Sequence, residues 1–125
     1  YKMKGHATPP GVQHQFIFIT LIKSSMAHEH RYNDYFISDK KIHWQSKNQV
    51  SQKEEDGISI IKHKEIDKPI HLFVRKISRV NNVTLPFTYC GKIDFIKVIG
   101  NNPINVEFEL HTKLSDKLKT EFLRI

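Results

Sequence analysis

The stretch FTYCGKIDFIKVIGNNPINVEFEL, residues 87–110, decides the fold of this chain. Its second part, INVEFEL, alternates strictly between apolar and polar residues, which predicts a strand over 104–110 with one buried face. Its first part predicts one long strand over 87–99, or two strands with a bend at Gly91. The sequence GNNP between the two parts is a strong turn signal. The stretch therefore predicts extended segments joined by a tight turn.

Other apolar segments along the chain also predict strands. FIFITLI is short, rich in aromatic and β-branched residues, and apolar on both faces, which is typical of a buried strand over 16–22. RYNDYFIS and KIHWQSKN predict the two arms of a hairpin over 31–38 and 41–48. ISIIKH and IHLFVRK predict two further strands, over 58–63 and 70–76.

The two ends of the chain depart from this pattern. Residues 1–15 contain Pro-Pro-Gly, which excludes a helix there, so we expect an N-terminal arm or loop. SDKLKTEFLRI predicts a short helix over 115–125, capped by Ser115, because leucine and phenylalanine recur every four residues. Residues 16–125 are therefore predicted to form a single domain of the mainly β (α+β) class. We expect a curved sheet or β-barrel with a short C-terminal helix packed on it.

The composition narrows the class of protein. A chain of 125 residues, 38% of them hydrophobic, fits one globular domain, and its net charge of +7 is typical of nucleic-acid binders, although many basic domains bind no anion. The single cysteine, Cys90, cannot form an internal disulfide, which indicates a reducing, intracellular compartment. Because no apolar run approaches the ~20 residues of a membrane span, we expect no membrane partner. The chain begins at Tyr1 rather than Met, so we expect it to be part of a longer protein.

The sequence offers little catalytic chemistry. It has no glycine-rich phosphate loop, and Cys90 lies inside a strand pattern, where a small buried residue is expected. The densest histidine cluster, His28-Glu29-His30, lacks the second ligand pair of a zinc site. Asp94, Glu107 and Glu109 resemble a metal-nuclease core only faintly, because glutamate stands where lysine is needed. We therefore predict no catalytic residue, no metal and no cofactor.

The predicted hairpin carries an unusual mixture of aromatic and polar residues, and its register decides their role. A two-residue turn at Asp39-Lys40 places Tyr35 opposite Trp44 and Phe36 opposite His43. One face of the hairpin is then apolar, with Tyr35, Ile37, Ile42 and Trp44. A three-residue turn instead pairs Phe36 with Trp44. In the two-residue register the other face carries Asp34, Phe36, His43 and Gln45. It is either an ordinary solvent-exposed surface or part of a pocket for a planar polar ligand such as a base.

These residues also resemble a known family. Three motifs carry the resemblance: Tyr32, Asp34 and Tyr35-Phe36-Ile37-Ser38; His43-Trp44-Gln45-Ser46 and Asn48; and Leu72-Phe73-Val74-Arg75. They are similar to motifs in the C-terminal domain of SauUSI-like bacterial proteins. Those proteins are type IV, modification-dependent restriction enzymes that begin with a phospholipase-D-like nuclease and continue with a superfamily-two helicase. The resemblance runs from about residue 16 to the end of the chain. Lys47 departs from it, because glutamine is common at that position.

The resemblance implies an SRA-like fold among the PUA-like barrels, and recognition of 5-methylcytosine or 5-hydroxymethylcytosine flipped out of double-stranded DNA. It implies that the parent protein is an ATP-dependent restriction endonuclease of the bacterial cytoplasm, whereas this domain by itself is not an enzyme. The expected partners are modified double-stranded DNA and the helicase and nuclease domains of the same chain.

This hypothesis assigns two sets of site residues. In the first set, aromatic rings stack on the flipped base and polar groups read its edge, as when Asp34 accepts from the cytosine amine. In the second set, mostly basic side chains contact phosphates. The predicted base pocket comprises Asp34, Tyr35, Phe36, Trp44, Gln45, Ser46 and Tyr89. The predicted backbone contacts are Lys40, Lys41, Lys47, Asn48, Arg75, Lys76 and Arg79.

Two other functions remain open from the sequence. A protein-interaction module that docks the helicase and nuclease would have an exposed apolar patch and no specific affinity for DNA. A metal-dependent nuclease would cleave DNA as an isolated domain with magnesium.

Overall fold

The computed structural model describes residues 5–22 and 34–123. The strands are β1 (Gly5–Ala7), β2 (Gln15–Ile22), β3 (Tyr35–Phe36), β4 (Lys41–Gln45), β5 (Ile70–Ile77), β6 (Arg79–Val80), β7 (Val83–Thr84), β8 (Thr88–Ile99) and β9 (Asn105–Leu110). The helices are α1 (Glu55–Ile61) and α2 (Asp116–Phe122). None of the helices in these described ranges is long and apolar enough to cross a membrane.

Seven strands form one open sheet in the order β1-β2-β5-β8-β9-β4-β3, and β6 and β7 form a separate two-stranded ribbon. All neighbours in the large sheet are antiparallel except β2 and β5, which are parallel. The sheet is strongly curved, because the ring of His6 in β1 lies 6.2 Å from the ring of Trp44 in β4 across the interior. The predicted mainly β fold with a curved sheet and a short C-terminal helix is confirmed.

Strand β8 joins the two halves of the sheet. Its first half pairs with β5 and its second half pairs with β9, so that Ile93 is opposite both Ile70 and Leu110. An extra residue at the level of Gly91, whose φ is +88°, shifts the register against β5. The predicted bend at Gly91 is confirmed, and it is a β-bulge, which turns the strand and increases its twist.

The concave face of the sheet holds the hydrophobic core. Alternate residues of each long strand point into it, and Val106, Phe108 and Leu110 of β9 are almost completely buried. This confirms the alternation predicted for INVEFEL. Strand β2 is not buried on both faces as the sequence predicted, because Ile17 and Ile19 are buried whereas the intervening aromatic residues are only half-buried.

The prediction of a strand over 58–63 is wrong, because these residues belong to helix α1 and the turn after it. Glu54 caps the helix by accepting a hydrogen bond from the backbone N–H of Gly57. The acidic residues of the first turn stabilise the helix further by interacting with the positive end of its dipole. Gly57 is required there, since a Cβ atom would lie 2.0 Å from the carbonyl oxygen of Ser51. Ile60 alone of the ISII run is fully buried, which is a helical pattern rather than a strand pattern.

The N-terminal segment departs from its prediction, whereas the C-terminal helix agrees with it. Within the predicted arm, residues 5–7 form β1, which pairs with β2 at the edge of the sheet. Gln15, also assigned to the arm, begins β2 and is fully buried. At the other end, Ser115 caps α2 as predicted, and Phe122 stacks on Phe36 with ring centroids 5.8 Å apart.

Both predicted hairpin registers are wrong. Tyr35 pairs with His43 and Phe36 with Ile42, so the turn consists of residues 38–40. The tip is fixed from outside the hairpin, because the backbone N–H of Leu114 donates to Asp39 at 2.8 Å. In this register Phe36 points into the core, whereas Tyr35 lies on the outer face.

Replacing Trp44 is expected to test the core directly. Its side chain is 3% exposed and packs 6.3 Å from the ring of Phe108. Trp44→Ala should lower the free energy of unfolding by roughly 3–5 kcal/mol, because it leaves a large cavity. Urea unfolding followed by circular dichroism measures this value. Tyr35→Ala, at a 46% exposed position of the same hairpin, is the matched control and should cost less than about 1 kcal/mol. Equal stability of the two variants would contradict the buried position of Trp44.

Candidate nucleic-acid interface

The outer side of β2, β5 and the beginning of β8 carries aromatic side chains. Because the alternate residues of these strands fill the core, the intervening ones must point outward. The register then places Phe16 beside His71, Phe18 beside Phe73, and Phe73 beside Tyr89. We refer to this surface as the aromatic face, and it consists of Phe16, Phe18, His71, Phe73, Phe87 and Tyr89.

The rings of the aromatic face form a continuous layer. Phe18 and Phe73 are stacked with centroids 5.0 Å apart and an interplanar angle of 22°, and Tyr89 lies 5.0 Å from Phe73 on the other side. Phe16 stacks on His71 at 5.5 Å. Tyr89 is 51% exposed, whereas the other rings are half-buried. Such a surface can stack a planar ligand on Tyr89 without first unpacking the protein, and stacking of this kind tolerates any base.

A chain of hydrogen bonds holds Tyr89 in place. The Tyr89 hydroxyl is 2.7 Å from Nδ1 of His71, and Nε2 of His71 is 2.9 Å from Nδ1 of His14. Burial lowers the pKa of His71, and the nearby His14 and Lys92 lower it further. A neutral His71 can accept the hydroxyl proton at Nδ1 and donate from Nε2, which satisfies all three groups. The position of the exposed tyrosine is therefore set by two histidines.

Arg75 closes one end of the aromatic face. Its Nε donates to the hydroxyl of Thr20 at 2.9 Å and its Nη1 donates to the carbonyl of Leu85 at 3.2 Å. Its guanidinium lies 4.2 Å from the ring centroid of Phe87, which is a cation–π contact. Arg75 therefore fastens the segment after the β6–β7 ribbon to the sheet, and only part of its donor set remains for a phosphate.

A cleft of about 270 Å³ lies next to the aromatic face, where β5 begins and β8 meets the end of β9. We refer to it as the basic cleft. It adjoins the aromatic face because Lys92 is paired with His71 across β5 and β8. Three lysines and two histidines line it together with two aspartates: Lys64, Lys68, Lys92, His63, His111, Asp67 and Asp94.

The carboxylate of Asp94 is already neutralised within the basic cleft. His111 Nε2 lies 2.9 Å from Oδ1, and Lys64 Nζ lies 3.3 Å from Oδ2. Partial burial opposes the charged form, but the hydrogen bonds from His111 and Lys64 outweigh it, and the pKa of Asp94 is lowered. Within the part of the chain that the structure describes, Lys68 and Lys92 form no ion pair. The cleft therefore keeps uncompensated positive charge.

Two of the three acidic residues that resemble a nuclease core, Asp94 and Glu107, are in ion pairs. Glu107 lies between Lys97, at 3.3 Å, and Lys41, at 4.0 Å. Across residues 5–22 and 34–123, no group of three or more histidines, cysteines, aspartates or glutamates is placed to hold a metal ion. His28-Glu29-His30 lies outside the described residues. The ion pairs with Lys64 and Lys97 account for the carboxylates of Asp94 and Glu107 without a metal ion.

The residues of the predicted base pocket do not line one cavity in the described structure. Tyr35 stacks on His43 at 4.7 Å on the outer face, where Gln45 also lies, whereas Phe36 and Trp44 are in the core. The remaining members lie apart or have other bonding partners. Buried Asp34 accepts from the backbone N–H of Gln45 at 2.9 Å, Ser46 bonds the backbone of Lys47 and Ile104, and Tyr89 belongs to the aromatic face.

The predicted phosphate contacts are divided between two parts of the sheet. Arg75 and Lys76 lie near the end of β5, and Arg79 begins β6; of these three, Lys76 and Arg79 are exposed. The other members belong to β4 or to the loops that flank it. Strands β8 and β9 lie between the two groups. Lys41 contacts Glu107, and the exposed members near β4 are Lys40, Lys47 and Asn48.

The sequence did not indicate the aromatic face or the basic cleft. The alternation of aromatic residues in FIFITLI and IHLFVRK was a usable signal, because two such strands side by side must place rings on one surface. The cleft had no comparable signal, since its residues come from three separated segments of the chain, around 63–69, 92–94 and 111.

The family described as Domain of unknown function (DUF3427) matches residues 1–122. The chain belongs to the DUF3427 family. Comparison with curated proteins gives no match.

Cys90 of this DUF3427 domain is unsuited to nucleophilic chemistry. Its side chain is buried in the core, as predicted. Burial, with a smaller contribution from Glu121, raises the pKa of the thiol to about 11. The thiol is therefore protonated at neutral pH, and the thiolate that would attack a substrate is scarce.

Three histidines with lowered pKa values make the stability of the DUF3427 domain depend on pH. Burial lowers the pKa of His6, His63 and His71 below the ordinary value of 6.5. The unfolded chain therefore binds more protons than the native state around pH 6, and the free energy of unfolding should fall as pH drops from 7.5 to 5. Urea unfolding at several pH values measures the slope. His63→Gln should flatten it, whereas Lys117→Gln, at an exposed position, should not. A slope that His63→Gln leaves unchanged would contradict this assignment.

Proposed function

We propose that this DUF3427 domain is a DNA-recognition module that reads modified cytosine, 5-methylcytosine or 5-hydroxymethylcytosine, in double-stranded DNA. The observation that carries the proposal is the aromatic face, with its exposed Tyr89, next to a cleft with uncompensated positive charge. Aromatic platforms beside basic surfaces are the usual means of holding an unstacked nucleotide. The net charge of +7 supports an anionic partner.

The energies of stacking and flipping are compatible with this function. Taking a base out of a duplex costs a few kcal/mol, and stacking on an aromatic side chain returns roughly 1–3 kcal/mol per base. Phosphate contacts by lysine and arginine supply affinity that does not depend on sequence. Tyr89 and Phe73 are the proposed stacking residues, and the His71–Tyr89 pair offers a hydroxyl and a ring nitrogen near the edge of the base.

The sequence resemblance supports the finer part of the proposal. The residues around Tyr35, Trp44 and Arg75 resemble motifs in the C-terminal domain of SauUSI-like enzymes. We propose accordingly that the domain is SRA-like, and that it serves a bacterial, cytoplasmic, ATP-dependent type IV restriction endonuclease. In that parent protein the helicase and nuclease domains perform catalysis. The protonated Cys90 and the ion-paired carboxylates support a domain that is not an enzyme by itself.

A docking role is a second candidate, favoured by the β6–β7 ribbon. The tip residues Val80 and Val83 are 47% and 62% exposed. Exposed apolar side chains on a ribbon are suited to contact another protein surface, here the helicase or nuclease of the same parent chain. In this case Val83→Ser would weaken association with those domains and leave DNA binding unchanged.

A binding series tests the modified-base reader. Duplexes that are identical except for cytosine, 5-methylcytosine or 5-hydroxymethylcytosine at one position, with randomised flanking bases, are titrated at fixed salt by fluorescence anisotropy. We expect the modified duplexes to bind at least about tenfold more tightly than the unmodified one, which corresponds to ~1.4 kcal/mol. Equal affinity for all three would exclude the reader, and a lack of binding to any would favour the docking role.

Two tyrosines of similar exposure distinguish the aromatic face from the hairpin. Tyr89→Ala should weaken binding to the modified duplex by about tenfold or more, because it removes the proposed stacking ring. Tyr35→Ala is the matched control, and it should leave the affinity within about twofold. Circular dichroism checks that both variants are folded. The reverse result, a loss with Tyr35→Ala alone, would place the base at the hairpin as the sequence analysis predicted.

A further inference from the structure

The basic cleft has the properties of an anion site in its own right. Lys68 and Lys92 have no carboxylate partner in the described structure, and Asp94 is occupied by Lys64 and His111. Counted as charged groups, the three lysines of the cleft outnumber its two aspartates. A phosphate oxygen that enters the cleft would meet several ammonium donors at once, and such charge-assisted hydrogen bonds are the strong ones.

The walls of the cleft are fixed by backbone hydrogen bonds, so the lysines start from anchored positions. The N–H of Lys68 donates to His63 at 2.8 Å, which closes the turn after α1. The N–H of His111 donates to Lys92 at 3.0 Å and holds the end of β9 against β8. Buried His63 accepts from the backbone N–H of Phe95 at 3.1 Å. The backbone of a cleft built in this way requires little rearrangement to bind a ligand.

A divalent cation is the alternative ligand, and the surroundings of Asp94 disfavour it. The carboxylate already has two hydrogen-bonding partners of its own, and Lys92 lines the same space. Divalent metals in proteins are held by several oxygen or imidazole ligands, and a nearby ammonium group repels the cation. The charge balance of the cleft therefore favours an anion.

We propose that the basic cleft binds a phosphate group, with Lys68 and Lys92 as its principal ligands. The proposal rests on the charge and construction of the cleft, and it does not require that the domain read modified cytosine. The phosphate belongs either to the backbone of a nucleic acid or to a terminal or free phosphate monoester. In both cases the recognised chemistry is a tetrahedral oxyanion, which the ammonium groups meet as point charges.

The first experiment titrates the full chain with inorganic phosphate at constant ionic strength and records amide shifts by NMR. We expect saturable shifts at Lys92, Asp94 and His111, and none at Tyr35. The double variant Lys68→Ala, Lys92→Ala should bind phosphate about tenfold more weakly or worse. Lys117→Ala, which removes an exposed lysine from α2, is the control and should bind like the unchanged protein. The absence of saturable shifts, or equal affinity of the double variant, would overturn the proposal.

A second variant separates an anion site from a cation site. Asp94→Asn removes a negative charge from the cleft and keeps the shape of the side chain. It should strengthen phosphate binding severalfold if the cleft holds an anion. Weaker phosphate binding by this variant, together with saturable shifts on addition of magnesium to the unchanged protein, would mean that the cleft is a cation site and that the proposal is wrong.

Duplexes with and without a 5′-phosphate distinguish the two sources of phosphate. If the unchanged protein binds both duplexes equally and the double lysine variant binds both more weakly, the ligand is the backbone diester. Preference for the 5′-phosphorylated duplex, lost in the double variant, identifies the monoester. Discrimination between modified and unmodified cytosine is measured in the same variant. If it persists while phosphate binding is lost, the two proposals stand as separate sites. If phosphate binds but discrimination is absent in the unchanged protein, only the modified-base reader fails.

Discussion

The double pairing of β8 is the constraint on which the rest of the structure depends. Its first half is hydrogen-bonded to β5 and its second half to β9, and Ile93 has a partner on each side. The bulge at Gly91 turns the strand, which curves the sheet and brings β1 near β4 across the core. The same turn separates two outer surfaces, an aromatic one along β5 and a charged one along β9. The basic cleft lies where these two surfaces meet.

The sequence predicted the elements whose pattern is local. Strict alternation in β9, the glycine bend in β8 and the serine cap of α2 each depend on a few neighbouring residues, and each is confirmed. Helix α1 was missed because a short apolar run fits a strand as well as a helix. The helix is favoured by the cap from Glu54 and by the close approach of Gly57 to Ser51. Neither contact can be predicted from the pattern of apolar residues.

The candidate site was less predictable, because it depends on long-range register. The hairpin turn is fixed by hydrogen bonds from Leu110 and Leu114, which lie 70 or more positions away along the chain. A shift of one residue exchanges the two faces of a strand. The observed register therefore places Phe36 in the core and Tyr35 outside it, the reverse of the predicted two-residue register. Tyr89 was predicted as a site residue, but its neighbourhood was not, because β2 was predicted to be buried on both faces and the pairing of β2 with β5 was not predicted.

The proximity of the aromatic face and the basic cleft has an electrostatic consequence. Lys92 belongs to the cleft and is paired with His71 of the aromatic face, and its charge contributes to the lowered pKa of that histidine. An anion bound at Lys92 would offset this positive charge and raise the pKa of His71, since an opposite charge nearby favours the protonated ring. A protonated His71 donates to the Tyr89 hydroxyl rather than accepting from it, which frees the hydroxyl proton for an outside acceptor. Occupation of the cleft would thus shift the balance between these two hydrogen-bonding arrangements of His71 and Tyr89 toward the protonated one.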